Sequence, residues 1–120
     1  MASHPIVHIE FPSKDPAAAG EFYSSLFGWQ ITTDDQLQYV MFAAEGGPAG
    51  GFPLPQEGSK AGVPIVYVQT DDIDATLAKA QSLGGSVVSP KFEVPGVGWL
   101  GFFLDPSGTV MRLFTSAPRA

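Results

Sequence analysis

The chain has 120 residues, of which 44% are hydrophobic and 12% aromatic, enough to bury one core; the length favours a single domain over disorder. Six Lys plus Arg against twelve Asp plus Glu leave a net charge of −6, which excludes the basic footprint of a nucleic-acid binder and suits a neutral or cationic ligand. The absence of cysteine excludes disulfides, thiolate metal sites and cysteine nucleophiles. No basic segment leads into an apolar core at the N-terminus, and no run reaches the ~18 apolar residues of a membrane span. A soluble cytoplasmic protein is therefore expected, with no membrane partner.

In chain order, Ile6 to Phe11 reads as a strand. Alternation puts Ile6, His8 and Glu10 on one face and Val7, Ile9 and Phe11 on the other, and the uniformly apolar set is expected to cover the core. Asp15 offers an N-cap, Pro16 a first helical residue and Gly28 a stop, so the spacing predicts a helix near Asp15 to Phe27 with Ala19, Phe22, Tyr23 and Leu26 on its apolar side. Trp29 to Thr33 and Leu37 to Ala43 read as strands flanking an Asp34-Asp35-Gln36 turn, and the Gly-rich "GGPAGGFP" closes this half. Residues 53–62 are rich in turn formers, lack an apolar period and read as a linker.

The second half repeats the first. Asp72 stands 57 residues after Asp15, with Leu83 and Gly85 equivalent to Leu26 and Gly28. "PIVYVQT" is the strand before a helix near Asp72 to Leu83, and "SVVSP", "VGWLGFFLDPSG" and "TVMRLF" supply the strands after it. Repetition at this period indicates two copies of one supersecondary unit. The expected fold class is α+β: two βαβββ repeats forming curled mixed sheets, about residues 5–53 and 63–116 of one domain, joined at 53–62.

The stretches "HIEFPSKDPAAAGEFYSSLFGW", "VQTDDIDATLAKAQSLGG" and "PGVGWLGFFLDPSGTVMRLF" together resemble the vicinal oxygen chelate superfamily, which includes glyoxalase I, extradiol dioxygenases, fosfomycin resistance enzymes and bleomycin resistance proteins. The resemblance covers nearly the whole chain and implies a pocket enclosed by two units, commonly in a homodimer. It also implies a divalent metal held by one residue on the first and one on the last strand of each unit. Seven residues before Asp15 that position is His8, but seven before Asp72 it is Ile65. The last-strand positions fall on Gly50 or Gly51 and on Arg112. One ligand with a guanidinium nearby does not define a metal site, so no cofactor is expected.

His8 accordingly reads as a pocket residue; the alternatives are a ligand in an uncommon metal set with Glu10, or a hydrogen-bonded wall histidine. Glu10 shares its face and is either a rim carboxylate or a ligand-binding group and general base, which makes His8 and Glu10 the catalytic candidates. Arg112 either binds an anionic part of a ligand or neutralises Glu10. Tyr67 and Gln69 share a face with Ile65 and join the pocket if the repeat register holds. Trp99, Gly101 and Phe103 form one strand face, either a slot for a flat ligand or a core ladder, and Tyr39 and Met41 are the approximate first-half equivalents with the same ambiguity. His4 precedes a proline and is expected to be exposed. The expected ligand-binding set is His8, Glu10, Tyr67, Trp99 and Arg112. The expected function is binding of a small organic ligand without metal; the alternative is a metal-dependent lyase, isomerase or dioxygenase.

Overall fold

A computed structural model describes residues 4–56 and 58–116. Glu57, inside the expected linker, lies outside the described residues, and the rest of 53–62 carries neither helix nor strand. Contacts divide the chain into two compact units, one of Val7–Ile65 and one that joins residues 4–6 to 66–116. Among the described residues no helix is long and apolar enough to cross a membrane.

The first unit runs β1 (Ile6–Glu10), α1 (Pro16–Phe27), β2 (Gln30–Asp34), β3 (Tyr39–Ala43) and β4 (Ala49–Gly51). Helix α1 starts because the Asp15 carboxylate accepts from the Ala18 N–H and Pro16 needs no donor partner; it stops at Gly28, whose φ of 76° favours a residue without Cβ. The strands lie in the order β2-β3-β4-β1, with β1 and β4 parallel and the other pairs antiparallel. Tyr39, two residues after the expected Leu37, starts β3, because Asp34 Oδ1 accepts from the Gln36 and Leu37 N–H groups and holds those residues in the turn. Val40, Phe42 and Phe52 form the core, covered by Phe11, Ala19, Tyr23, Trp29 and Ile31. Burial of each of the two phenylalanines is worth ~2–3 kcal/mol against exposure. Gly20 lets α1 settle onto this surface, since a Cβ there would lie 3.1 Å from Ile31 and 3.2 Å from Val40.

The second unit repeats the arrangement with β5 (Ile65–Gln69), α2 (Ile73–Ser82), β6 (Ser86–Val94), β7 (Gly98–Leu104) and β8 (Val110–Ser116). Its order is β5-β8-β7-β6, and the first and last strands are again parallel. Asp72 caps α2 by accepting from the Ala75 N–H at 3.0 Å. Strand β6 runs past the expected "SVVSP" to Val94, and Pro90 is tolerated there because β6 is the terminal strand in this order and is bulged on both sides of Ser89. Ile73, Leu77 and Leu113 form the second core, with Val68, Trp99 and Phe103 packed against it.

Candidate functional site

In the first unit, strand alternation puts His8 and Glu10 of β1 on the face away from α1. Tyr39 joins them from β3, although β4 lies between those two strands. Two strand spacings separate β3 from β1, roughly 9–10 Å. The ring can cross because β4 presents Gly51 there: a Cβ on Gly51 would overlap the end of the Tyr39 ring. The Tyr39 hydroxyl lies 2.8 Å from His8 Nε2 and donates to Glu10 Oε2 at 2.6 Å. A phenol has one proton to give and an ionised carboxylate can only accept. His8 Nε2 therefore carries hydrogen and donates to the Tyr39 oxygen, and the chain runs imidazole to phenol to carboxylate. Glu10 is 7% exposed. Burial pushes the His8 imidazole below its ordinary value of 6.5, while the Glu10 charge pulls in the opposite direction.

In the second unit, Arg112 on β8 is registered with Tyr67 on β5 and with Phe102 on β7. The guanidinium Nη1 donates to the Tyr67 hydroxyl. Its carbon lies 4.3 Å from the Phe102 ring centre and 5.4 Å from that of Tyr67, a cation held between two aromatic faces. Planar stacking and a directed N–H fork suit such a group to carbonyl or carboxylate oxygens.

Trp99 does not share this face. It packs with Phe103 on the α2 side, and a Cβ on Gly101 between them would lie 2.7 Å from Ile73 and 3.1 Å from Leu77. The space left by Gly101 admits the helix rather than a flat ligand, so the core-ladder alternative describes Trp99, Gly101 and Phe103. Lys91 closes the outer edge of Trp99, 5.2 Å from its ring centre and 3.3 Å from Asp74. The structure thus brings His8 together with Glu10, and Tyr67 together with Arg112. Phe102 is not among the residues the sequence pattern points to, and that pattern leaves Tyr39 ambiguous. Tyr39 was legible only through its alternation with Val40, which separates a core face from a polar one. A separate cavity of about 410 Å³ beside α2, lined by Lys79, Leu83, Phe103 and Pro106 among others, includes no residue of either polar cluster.

The donor set fits a divalent metal poorly. His8 Nε2 and Glu10 Oε2 both engage the phenol, and among the described residues no three His, Asp or Glu side chains form a group able to hold an ion. Zinc sites typically supply three or four protein donors.

Two βαβββ units, each with its first and last strands parallel and a polar cluster on the face away from its helix, define the α+β fold that the repeat predicts. A model of the Glyoxalase/Bleomycin resistance protein/Dioxygenase superfamily matches residues 5–113, and the chain belongs to that superfamily. In an alignment 114 positions long that covers 88% of this chain, it is 30% identical to CFP32 of Mycobacterium tuberculosis, which is provisionally named a glyoxylase. In an alignment 119 positions long that covers 85% of this chain, it is 29% identical to the anthracycline biosynthesis protein DnrV of Streptomyces peucetius. The chain spans 43% of the length of each of these curated relatives. Among solved structures, a single-residue variant of methylmalonyl-CoA epimerase from Streptomyces coelicolor, in complex with 2-nitronate-propionyl-CoA, superposes with a TM-score of 0.67 at 22% identity, covering 97% of this chain and 96% of that one. That likeness concerns the fold.

Proposed function

We propose that this chain is a small-molecule-binding protein of the glyoxalase/bleomycin-resistance type whose ligand contacts are hydrogen-bonding and stacking groups rather than a bound metal. The observation that carries this reading is the His8–Tyr39–Glu10 chain, in which a neutral phenol engages the two groups a metal would need. Arg112 supports it from the second unit, because a fixed positive charge stands at a position where the resemblance expects an anionic ligand to a cation. The Arg112–Phe102 stack suits a planar organic molecule with a carbonyl or carboxylate oxygen; the His8 cluster suits a polar hydrogen or oxygen on a ligand. Exposed apolar side chains on α1, with Phe22 at 60% and Leu26 at 58%, support pairing of two copies in a homodimer, which sedimentation at micromolar concentration would test.

A second reading, a metal-dependent lyase, isomerase or dioxygenase with an unusual ligand set, draws on one distance: His8 Nε2 and Glu10 Oε2 are 4.0 Å apart, near enough to share an ion if the phenol withdrew. Elemental analysis of the purified protein, together with a fluorescence titration against planar aromatic carboxylates and carbonyl compounds, separates the two. The metal-free reading expects near-zero metal and a binder in that panel whose affinity falls about 10–100-fold in Arg112→Ala, the equivalent of ~1.5–3 kcal/mol for a hydrogen bond to a charged group. Stoichiometric metal that is lost in His8→Ala would replace it with the second.

A further inference from the structure

We infer that the Tyr39–Gly51 pair keeps divalent metal out of the first unit: Gly51 supplies no donor, and the Tyr39 ring fills the space that a ligand side chain at position 51 would need. The inference rests on the metal-free reading and explains it through particular atoms. The resemblance left Gly50 and Gly51 as alternatives for the last-strand ligand position, and the structure separates them. A Cβ on Gly50 would run into the Phe42 ring and the Ile9 carbonyl, the packed side of the strand; a Cβ on Gly51 would run into the Tyr39 ring and its hydroxyl. Gly51 is registered with Glu10 on β1 and with Met41 on β3, so a side chain there would project onto the face that carries Glu10 and Tyr39. A side chain at 51 and the observed Tyr39 pose are therefore mutually exclusive.

The phenol also engages both groups that an ion would use. It supplies Glu10 with a donor at 2.6 Å and offers an oxygen to His8 Nε2 at 2.8 Å, satisfying both groups without adding charge. For a cation to enter, the His8 nitrogen has to shed its hydrogen, Glu10 has to exchange its donor, and a third protein donor has to appear on the same face. Gly51 withholds the third donor, and the Tyr39 hydroxyl engages the other two groups. The colliding atoms are the far end of the tyrosine side chain, so a residue placed at 51 can push the ring aside by rotation without moving the strands.

The test is to install the missing donor. Gly51→Glu should displace the Tyr39 ring and place a carboxylate beside His8 and Glu10. Co²⁺ is the probe, because its visible absorption bands report coordination directly. Wild type and Tyr39→Phe, which keeps the ring, are expected to give no bands. Gly51→Glu, and the double variant Tyr39→Ala/Gly51→Glu that removes the clash beforehand, are expected to bind one Co²⁺ per chain at micromolar concentration, and adding His8→Ala should abolish the bands. The double variant decides the matter if Gly51→Glu alone does not fold. Folded Gly51→Glu and double variants as blind to Co²⁺ as wild type would overturn the role of the Tyr39–Gly51 pair while leaving the metal-free reading intact. Co²⁺ binding by wild type, lost in His8→Ala, would sink that reading itself.

Discussion

Tyr39→Phe removes one oxygen and leaves the ring that crosses Gly51, so its cost isolates the two hydrogen bonds. The bond to Glu10, 2.6 Å long and directed at a carboxylate that is 7% exposed, belongs to the class worth ~1.5–3 kcal/mol. The bond from His8 Nε2 joins neutral partners at 2.8 Å and adds ~0.5–1.5 kcal/mol. Glu10 has further interactions that offset part of the loss. The expected destabilisation is therefore about 2–4 kcal/mol, far above the ~0.5 kcal/mol of a typical surface substitution. Urea unfolding at pH 8 measures it: the midpoint should fall by roughly 1–2 M at an unchanged slope of about 2 kcal/mol/M. A loss below about 0.5 kcal/mol would mean that the hydroxyl does not hold Glu10 and His8 in solution, and the arrangement of the cluster would be wrong.

Three further outcomes follow from other parts of the molecule. Gly101→Ala should cost about 1–3 kcal/mol by overpacking Ile73 and Leu77, seen as a lowered Tm, while binding of an Arg112-dependent ligand stays unchanged; a neutral effect would mean that α2 stands off the sheet. Because the folded protein holds the His8 imidazole below 6.5, the unfolded chain takes up the proton first as pH falls. The His8 contribution is thus present above pH ~6.5 and lost as pH falls through the folded value, and denaturation between pH 5 and 8 should show this slope in wild type but not in His8→Gln; stability that rises on acidification through His8 would reverse the sign. Asp15→Ala should cost about 1 kcal/mol through the lost cap on the Ala18 N–H, and Asp15→Asn much less; equal losses would point to charge rather than capping.

Local chemistry is what made most of the fold legible. Asp15, Pro16 and Gly28 announce α1 within a dozen residues, and Asp72 repeats the signal for α2, so both helices were readable to within a residue of their ends. Alternation likewise grouped His8 with Glu10, and Trp99 with Gly101 and Phe103. Alternation says which residues share a face, not which face meets the helix. For β1 the apolar set Val7, Ile9 and Phe11 resolved that question. For β7 both sets are apolar, so only the approach of Ile73 and Leu77 to Gly101 decides it. The role of Tyr39 depends on a strand order in which β4 separates β3 from β1, and on a glycine of β4 beneath the ring. Strand order is set by the whole unit, so no window around residue 39 carries it. Phe102 escaped for a related reason: its partner Arg112 is ten residues away on the neighbouring strand, met only through the β7–β8 register.

Whether His8 is bonded to a phenol or reserved for a metal is read from the nitrogen resonances of its imidazole. Long-range ¹H–¹⁵N correlation spectra at pH 8, assigned by comparison with His8→Ala, should show a protonated Nε2 and an unprotonated Nδ1, unchanged by one equivalent of Zn²⁺. A Zn²⁺-induced shift of either His8 nitrogen to the position of a metal-bound imidazole, at stoichiometric metal, would make His8 a metal ligand.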